Sequence, residues 1–299
     1  MVSANNPSIS YVGIPKTWAS TGFRISNYVD LLSLILDLCK FNSSIQCKSV
    51  CIDIGEIDFD SSIFDSCIDE TNPDIANFLL SIQEILLREK IKIYILVSKD
   101  YFLGSQIEDI FNSSNKFLNF MGVFLDSIGV DYPSIIIRVG SAYGNRKETM
   151  KIFCERLKKL DQNAFSKICV MNDDKPSLFS ITDLLTGIYY EVGLPLCFRT
   201  LAHHFNHGGL SIREALYLAS TTWSGNNNPL MIHSESKDIN KDGIFLSPSI
   251  SSELTMRIPT FGLQCEVLIE TAGRELSYIS YLKNYKSLPP IVINKISDK

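Results

Sequence analysis

Short apolar runs alternate with longer amphipathic segments along the chain. The runs are rich in isoleucine and valine and are bounded by turn residues, which is typical of buried strands. They predict eight strands, at residues 9–13, 50–54, 91–97, 135–139, 168–171, 195–198, 230–233 and 267–270. The intervening segments repeat apolar residues at helical spacing and predict helices at residues 29–40, 75–89, 107–128, 148–159, 181–192, 212–219 and 274–283. Because parallel strands need a long crossover, usually a helix, this alternation indicates a parallel sheet.

Eight such strands within 299 residues favour a closed (β/α)8 TIM barrel, in the α/β class, over an open sheet. No linker or internal repeat divides the chain, so we predict a single domain over residues 1–299. The segment near 234–259 has a loop-like composition and is predicted to be an insertion after the seventh strand. In this fold the chemistry lies at the C-terminal ends of the strands. Any functional site is therefore expected there.

Composition narrows the classes of function. The formal net charge is −5, from 28 basic and 33 acidic residues, whereas a dedicated DNA-binding surface usually shows a basic excess. No apolar run approaches the length of a membrane span, and no signal peptide is visible, so an intracellular protein without a membrane span is expected. The cysteines form no Cys-x-x-Cys pair and are predicted to be buried free thiols in a reducing compartment: Cys39, Cys47, Cys51, Cys67, Cys154, Cys169, Cys197 and Cys265.

Four motifs fall at predicted strand ends in a fixed order. They are Arg138-Val-Gly-Ser-Ala-Tyr-Gly144, Met171-Asn-Asp-Asp-Lys175, Leu201-Ala-His-His-Phe-Asn206 and Met231-Ile-His-Ser234, and Tyr11-Val-Gly13 opens the series. In order and spacing, over roughly residues 9 to 285, the chain resembles the UV damage endonuclease family. The resemblance implies a TIM barrel that holds a cluster of divalent ions, manganese in this family, and nicks DNA on the 5′ side of ultraviolet lesions.

At most metal-ligand positions that the resemblance implies, this chain has another residue. The substituted positions are Ile57, Val97, Arg138, Met171, Arg199, Ala202, Met231 and Ala272. The family residues that remain are His233, Glu270, His203, Asn172 and Tyr101. All four histidines lie after residue 200, so the first five strands offer no imidazole. Methionine and valine do not bind hard cations and arginine repels them, so we predict no catalytic residue, no bound metal and no cofactor.

Each of the remaining family residues can be explained by a structural role as well as by a functional one. His233 and Glu270 are interpreted as a hydrogen-bonded core pair, with a weak site for one metal ion as the alternative. His203 is interpreted as a loop or core histidine. Tyr101, at a position where the resemblance implies a residue that probes the damaged base pair, is interpreted as a plain surface aromatic.

The two arginines at strand ends predict a specific contact. Without a metal, surviving carboxylates would be unpaired, and a buried unpaired charge is strongly destabilising. We therefore expect Arg138 or Arg199 within hydrogen-bonding distance of Glu270, Asp173 or Glu56.

Three hypotheses for the function follow. The first is a catalytically lapsed UV damage endonuclease kept as a structural or binding subunit of a larger assembly, with protein partners on a surface within residues 226–259 that includes Ile244, Phe245 and Leu246. The second is a divergent metal-dependent DNA repair endonuclease that uses carboxylates in place of imidazoles: Glu56, Asp58, Asp100, Asp173 and Glu270. The third is an inactive DNA-binding module, which the acidic net charge makes a less favoured choice.

Overall fold

The computed structural model describes residues 7–18, 22–66, 68–98, 100–225, 227–241 and 243–290. Within them the strands are β1 Ser8–Tyr11, β2 Phe23–Ile25, β3 Ser49–Asp53, β4 Ile57–Phe59, β5 Lys92–Leu96, β6 Ile135–Ile137, β7 Ile168–Met171, β8 Leu196–Arg199, β9 Leu230–His233 and β10 Glu266–Ile269. Eight of these form one sheet in the order β1-β10-β9-β8-β7-β6-β5-β3, and β2 and β4 form a separate parallel pair. Apart from β1 and β10, which are its first and last strands in the chain, neighbours in this sheet follow one another along the chain, which is the order of a (β/α)8 barrel.

Helices fill most connections between the strands of this sheet. They are α1 Tyr28–Ser44, α2 Pro73–Glu89, α3 Glu108–Ser127, α4 Arg146–Leu157, α5 Gln162–Phe165, α6 Ile181–Leu184, α7 Tyr190–Val192, α8 Thr200–Phe205, α9 Ile212–Ser220 and α10 Glu275–Asn284. Capping residues determine where several helices begin. Asn72 caps α2 ahead of a proline, and Ser211 forms a reciprocal capping box with Glu214 at the start of α9. None of the described helices has the length and apolar character needed to span a membrane.

The described residues fold as two compact units, one within residues 13–169 and one within residues 1–12 and 170–299. In the first unit β3 pairs with β5, and β5 pairs with β6, in parallel register. Buried isoleucines, among them Ile52 and Ile95, contribute to the core of this unit. Gly122 lets α3 approach α5 closely, because a Cβ there would lie 2.6 Å from Ala164 Cα.

In the second unit β10 lies between β1 and β9, with Ile9 opposite Val267 and Val267 opposite Met231. β8 continues this sheet from β9. Trp223, after α9, donates its indole N–H to the carbonyl of Leu196, with a nitrogen–oxygen distance of 2.8 Å. The indole therefore fixes the connection after α9 against the start of β8.

Each predicted strand falls on an observed strand, with ends displaced by at most two residues. The predicted helix 181–192 is interrupted by a π-helix at Leu185–Tyr189, and the short helix α8 and the β2–β4 pair are additions. The segment 234–259 holds isolated bridges, Ser236 to Ile250 and Ile239 to Phe245. Of the predicted thiols the seven described ones are buried and free, and Cys67 lies outside the described residues.

Candidate functional site

An ion pair joins the ends of β8 and β10 in the second unit. Arg199 is the last residue of β8, and Glu270 directly follows β10. The Nε atom of Arg199 lies 3.1 Å from Glu270 Oε2, and Nη2 lies 2.9 Å from Oε1, so the contact is bidentate. The two side chains are 15% and 14% exposed. This confirms the expectation that a strand-end arginine compensates a surviving carboxylate.

The surroundings keep Arg199 protonated. Burial by itself would lower the pKa of the guanidinium, but the Glu270 carboxylate more than offsets this, and Asp174 and Asp173 add to the effect. The net result is a pKa above the ordinary value. A fixed positive charge therefore stands at the end of β8.

Asn172 holds the backbone of the same arginine. Its side chain is fully buried, accepts a hydrogen bond from Arg199 N at 2.8 Å and donates one to Arg199 O at 3.1 Å. The family motif residue Asn172 thus connects the end of β7 to the end of β8 through main-chain contacts. Asp173, next along the chain, is also buried, and its carbonyl accepts from Asn206 Nδ2 at 3.2 Å.

The two buried histidines are neutral groups of the core. His233 Nδ1 lies 3.0 Å from Thr200 Oγ1, and His233 Nε2 has no hydrogen-bond partner in the described structure. Burial lowers the pKa of His233 to about 3. His203 Nε2 lies 3.1 Å from the carbonyl of Leu210, and burial, the largest effect, lowers its pKa to about 4.

This arrangement differs from the hydrogen-bonded pair that the sequence suggests for His233 and Glu270. The side chain of His233 pairs with Thr200, whereas that of Glu270 pairs with Arg199. The physical reason is that a guanidinium forms charge-assisted, bidentate contacts with a carboxylate, which a neutral imidazole cannot match.

The first unit has its own strand-end cluster, around Arg138. This residue follows β6 and donates through Nη2 to the carbonyl of Ser98. The Ser98 hydroxyl in turn donates to Asp53 Oδ1, which also accepts from Gly55 N at 2.8 Å. Sequence reasoning missed Asp53, although a carboxylate at the end of an apolar strand run was the available signal.

The other carboxylates named for an endonuclease lie in separate settings. Glu56 Oε2 accepts from Ile14 N at 2.9 Å. Asp58 is exposed and lies 3.8 Å from Arg24, and Asp100 is exposed with a left-handed backbone φ of 70°. In the described part of the chain, no group of three or more histidine, cysteine, aspartate or glutamate side chains could hold a metal ion.

The manganese cluster implied by the resemblance does not fit these donors. Both oxygens of Glu270 already face a guanidinium, and Arg138 stands at another strand end. Buried apolar side chains occupy further substituted positions, namely Ile57, Val97, Met171, Ala202 and Met231, while Ala272 is exposed. None of these apolar groups offers an oxygen or nitrogen ligand to a hard cation.

Tyr101 is packed against other aromatic rings. It stacks on Phe117 with centroids 4.1 Å apart and an interplanar angle of 14°, and it meets Phe64 edge-on at 6.2 Å. Desolvation by burial, together with the charge of Asp100, raises the pKa of its hydroxyl. It is therefore a half-buried, packed ring and not the plain surface aromatic that the sequence suggests.

The strand order and the residues at the strand ends together define the class of this protein. It is a (β/α)8 barrel with an arginine–carboxylate pair at the C-terminal ends of its strands, where such barrels carry their functional groups. The family model of the UV-endonuclease UvdE matches residues 70–297. The chain belongs to the UvdE family.

Curated relatives are the UV DNA damage endonucleases of bacteria. That of Clostridium perfringens (strain 13 / Type A) is 27% identical over 218 residues, which cover 70% of this chain and 52% of that protein. That of Bacillus cereus (strain G9842) is 32% identical over 119 residues, or 40% of this chain and 37% of the relative. The chain thus spans about half or less of the length of the relatives it matches.

Solved structures establish the fold. The crystal structure of SacUVDE superposes with a TM-score of 0.78 at 21% identity, covering 94% of this chain and 99% of that one. Endonuclease IV from Thermus thermophilus superposes with a TM-score of 0.58 at 12% identity, covering 89% of this chain and 97% of that one. The prediction of a TIM barrel is confirmed.

Proposed function

We propose that this chain is a non-catalytic member of the UvdE family, retained as a structural or binding subunit of a larger assembly. The observation that carries the proposal is the Arg199–Glu270 pair, in which a permanent cation uses both oxygens of a strand-end carboxylate. A divalent ion within about 4 Å of that guanidinium would be repelled by several kcal/mol at an effective dielectric constant of about 20. The pair thus supplies the counter-charge that Glu270 needs without a metal.

The binding role is supported by an apolar surface on the segment after β9. Residues 236–241 and 243–250 form an arm in which Leu246 N donates to Asp238 O at 2.8 Å. Along it Ile239, Ile244 and Leu246 are exposed, Leu246 to 62%. Phe245, predicted as an exposed anchor beside them, is instead half-buried, because its ring packs against His204 with centroids 5.1 Å apart. Apolar side chains close together on a surface are typical of protein interfaces. The acidic net charge favours a protein partner over bare nucleic acid, and buried free thiols agree with a reducing, intracellular location.

The catalytic part of the proposal is tested by metal content and nicking activity. Protein purified from its native source is dialysed against manganese, and bound metal is measured by elemental analysis, with no stoichiometric ion expected. An ultraviolet-irradiated duplex is incubated with the chain, and the Clostridium perfringens enzyme serves as the active control. Two or more ions per chain, or damage-specific nicking, would support the divergent endonuclease instead. Retention of irradiated duplex without nicking would support the inactive DNA-binding module.

The assembly part is tested by mild crosslinking and size analysis of the native-source protein. A crosslinked neighbour is expected, and Leu246→Ser should weaken its capture. Leu87→Ser is the matched control, because Leu87 is 80% exposed on α2, outside this arm. A 33.6 kDa monomer without a crosslinked neighbour would contradict the proposal.

A further inference from the structure

A short segment of the second unit, residues 286–290, leaves α10 and lies beside an earlier part of the chain; we call it the tail segment. A turn directs it away from the helix, because the N–H and the hydroxyl of Ser287 both donate to Asn284 O, at 2.9 and 2.7 Å. Pro290 then pairs with Arg257 in an isolated parallel bridge. The tail segment is therefore placed alongside Arg257, which precedes α10 in the sequence.

Arg257 holds the tail segment by its backbone. Arg257 N donates to Pro289 O at 2.9 Å. The guanidinium donates through Nε to Leu288 O and through Nη2 to Lys286 O, both at 2.7 Å. Hydrogen bonds from a charged donor are stronger than those between neutral groups. Arg257 thus acts as a binding group for the carbonyls of an adjacent peptide.

Few other contacts are available to the tail segment, since four of its residues are exposed and Leu288 is half-buried. The contacts with Arg257 all end on backbone carbonyls, so any chain of the same shape can accept them. Pro289 and Pro290 fix φ, which lowers the entropy lost when the segment is bound. The tail segment is held as a bound peptide is held, by main-chain hydrogen bonds and one apolar side chain.

We propose that Arg257 forms a peptide site, that the tail segment occupies it exchangeably, and that the tail segment of a second copy of the chain can replace it. A second copy offers the same carbonyls and the same leucine, so a contact given up within one chain is regained between two. Reciprocal exchange closes a dimer, as in domain swapping. The exchange rests on the proposed assembly role for its use, but it takes place outside the arm.

Covalent attachment sets the affinity expected of the site. A segment joined by a short linker competes at an effective concentration in the millimolar range. Because the attached tail segment occupies the site in the folded chain, the same peptide should bind an open site with a Kd of about 1 mM or lower. The attached segment reduces the apparent affinity for a free peptide in proportion to the fraction of sites left open.

The first test is an NMR titration of the full chain with a free peptide of the sequence of residues 284–290, followed at the backbone amides of Arg257 and Ile258. Leu288→Lys removes the half-buried side chain of the attached segment and adds a positive charge next to Arg257, so it opens the site. The peptide should bind this variant with an apparent Kd at least about ten-fold lower than the parent. No saturable shift in Leu288→Lys up to about 5 mM, or equal binding by the parent, would overturn the proposal.

Two variants show whether the peptide occupies this site. Arg257→Met/Leu288→Lys removes the guanidinium and should abolish the saturable shifts. Leu282→Lys is the matched control, because Leu282 is 42% exposed on α10 outside the tail segment, and it should bind the peptide as the parent does. Retained binding by the double variant would overturn the assignment of the site to Arg257.

The second test mixes two variants to detect exchange between copies. Arg257→Met keeps a tail segment without its site, and Leu288→Lys keeps the site without an intact tail segment. Neither variant has a complete contact alone, whereas the equimolar mixture has one that no attached segment opposes. Sedimentation velocity should therefore show a heterodimer in the mixture, with a Kd at least about ten-fold lower than that for self-association of the parent.

A mixture that sediments as monomers at about 1 mM would overturn the exchange between copies, even if the free peptide binds. The experiment contains the purified chain alone. Such a failure would therefore leave the proposed function intact, since its test is the capture of a neighbour from the native source.

Discussion

The substitution Arg199→Met should destabilise the fold more than any single surface change, because it leaves Glu270 buried without its partner. Methionine keeps much of the length of the arginine side chain and removes the charge and both hydrogen-bonding nitrogens. The two side chains are 15% and 14% exposed, so water can replace little of what is lost. The deficit should shrink at lower pH, since an isolated buried carboxylate can lose its charge by taking up a proton.

The magnitude follows from the geometry of the pair. Unit charges about 3 Å apart attract by roughly 5 kcal/mol at an effective dielectric constant of about 20. Removing one partner of a buried pair typically costs about 3–5 kcal/mol. Since a small fraction of each side chain meets water, we expect a loss of about 3 kcal/mol in the free energy of unfolding, measured by urea titration with far-UV circular dichroism.

Two further variants decide whether the ion pair is the cause. Arg199→Met/Glu270→Leu removes both charges and should recover stability to within about 1 kcal/mol of the parent. Lys116→Met breaks a pair whose side chains are 56% and 63% exposed, and it should cost less than about 1 kcal/mol. A loss at Arg199→Met no larger than at Lys116→Met, or a double variant as unstable as the single one, would refute the reasoning.

Three other outcomes are expected. Burial lowers the pKa of His233 to about 3, so below about pH 6.5 the unfolded chain takes up a proton at this residue that the folded chain does not. The free energy of unfolding therefore decreases as the pH falls through that range. His233→Leu should flatten this dependence in urea titrations between pH 7 and pH 5. Asn172→Ala removes two hydrogen bonds to a neighbouring strand and should cost about 2 kcal/mol in the same measurement. Glu235 is fully buried and accepts from Thr255 N at 2.9 Å, so Glu235→Ala should speed hydrogen exchange of the Thr255 amide.

Controls for the asparagine and glutamate variants are available in the same chain. Asn77→Ala changes an asparagine of α2 and should alter stability by less than about 0.5 kcal/mol. For Glu235→Ala, amides of β5 should exchange as slowly as in the parent. An unchanged Thr255 amide would contradict the role assigned to Glu235.

The strands of the eight-stranded sheet and the helices that connect them were predictable, because the spacing of apolar residues that marks them is periodic and local. Apolar runs of four or five residues mark strands such as β7 and β9, and their bounds match the prediction. The three-residue strands β2 and β4 are too short to carry such a pattern. The π-helix at Leu185–Tyr189 also escapes prediction, since a shift in backbone hydrogen bonding leaves the apolar spacing almost unchanged.

The strand-end chemistry was predictable only in part. Arg199 and Glu270 could be paired in advance, because a buried carboxylate requires a counter-charge wherever the strands bring one near. The contact of Ser98 with Asp53 depends on how β3 and β5 align, which no single segment of sequence determines.

The pairing of β1 with β10 has a consequence for synthesis of the chain. The strand that β1 pairs with, β10, is translated more than two hundred residues after β1, at about residue 266. At about 5–20 residues per second, roughly ten to fifty seconds separate the two events. Throughout this interval β1 presents Ile9 and Tyr11 on an unpaired strand edge, the kind of surface on which nascent chains aggregate. β1 thus completes this pairing only when the last strand of the described sheet has been translated.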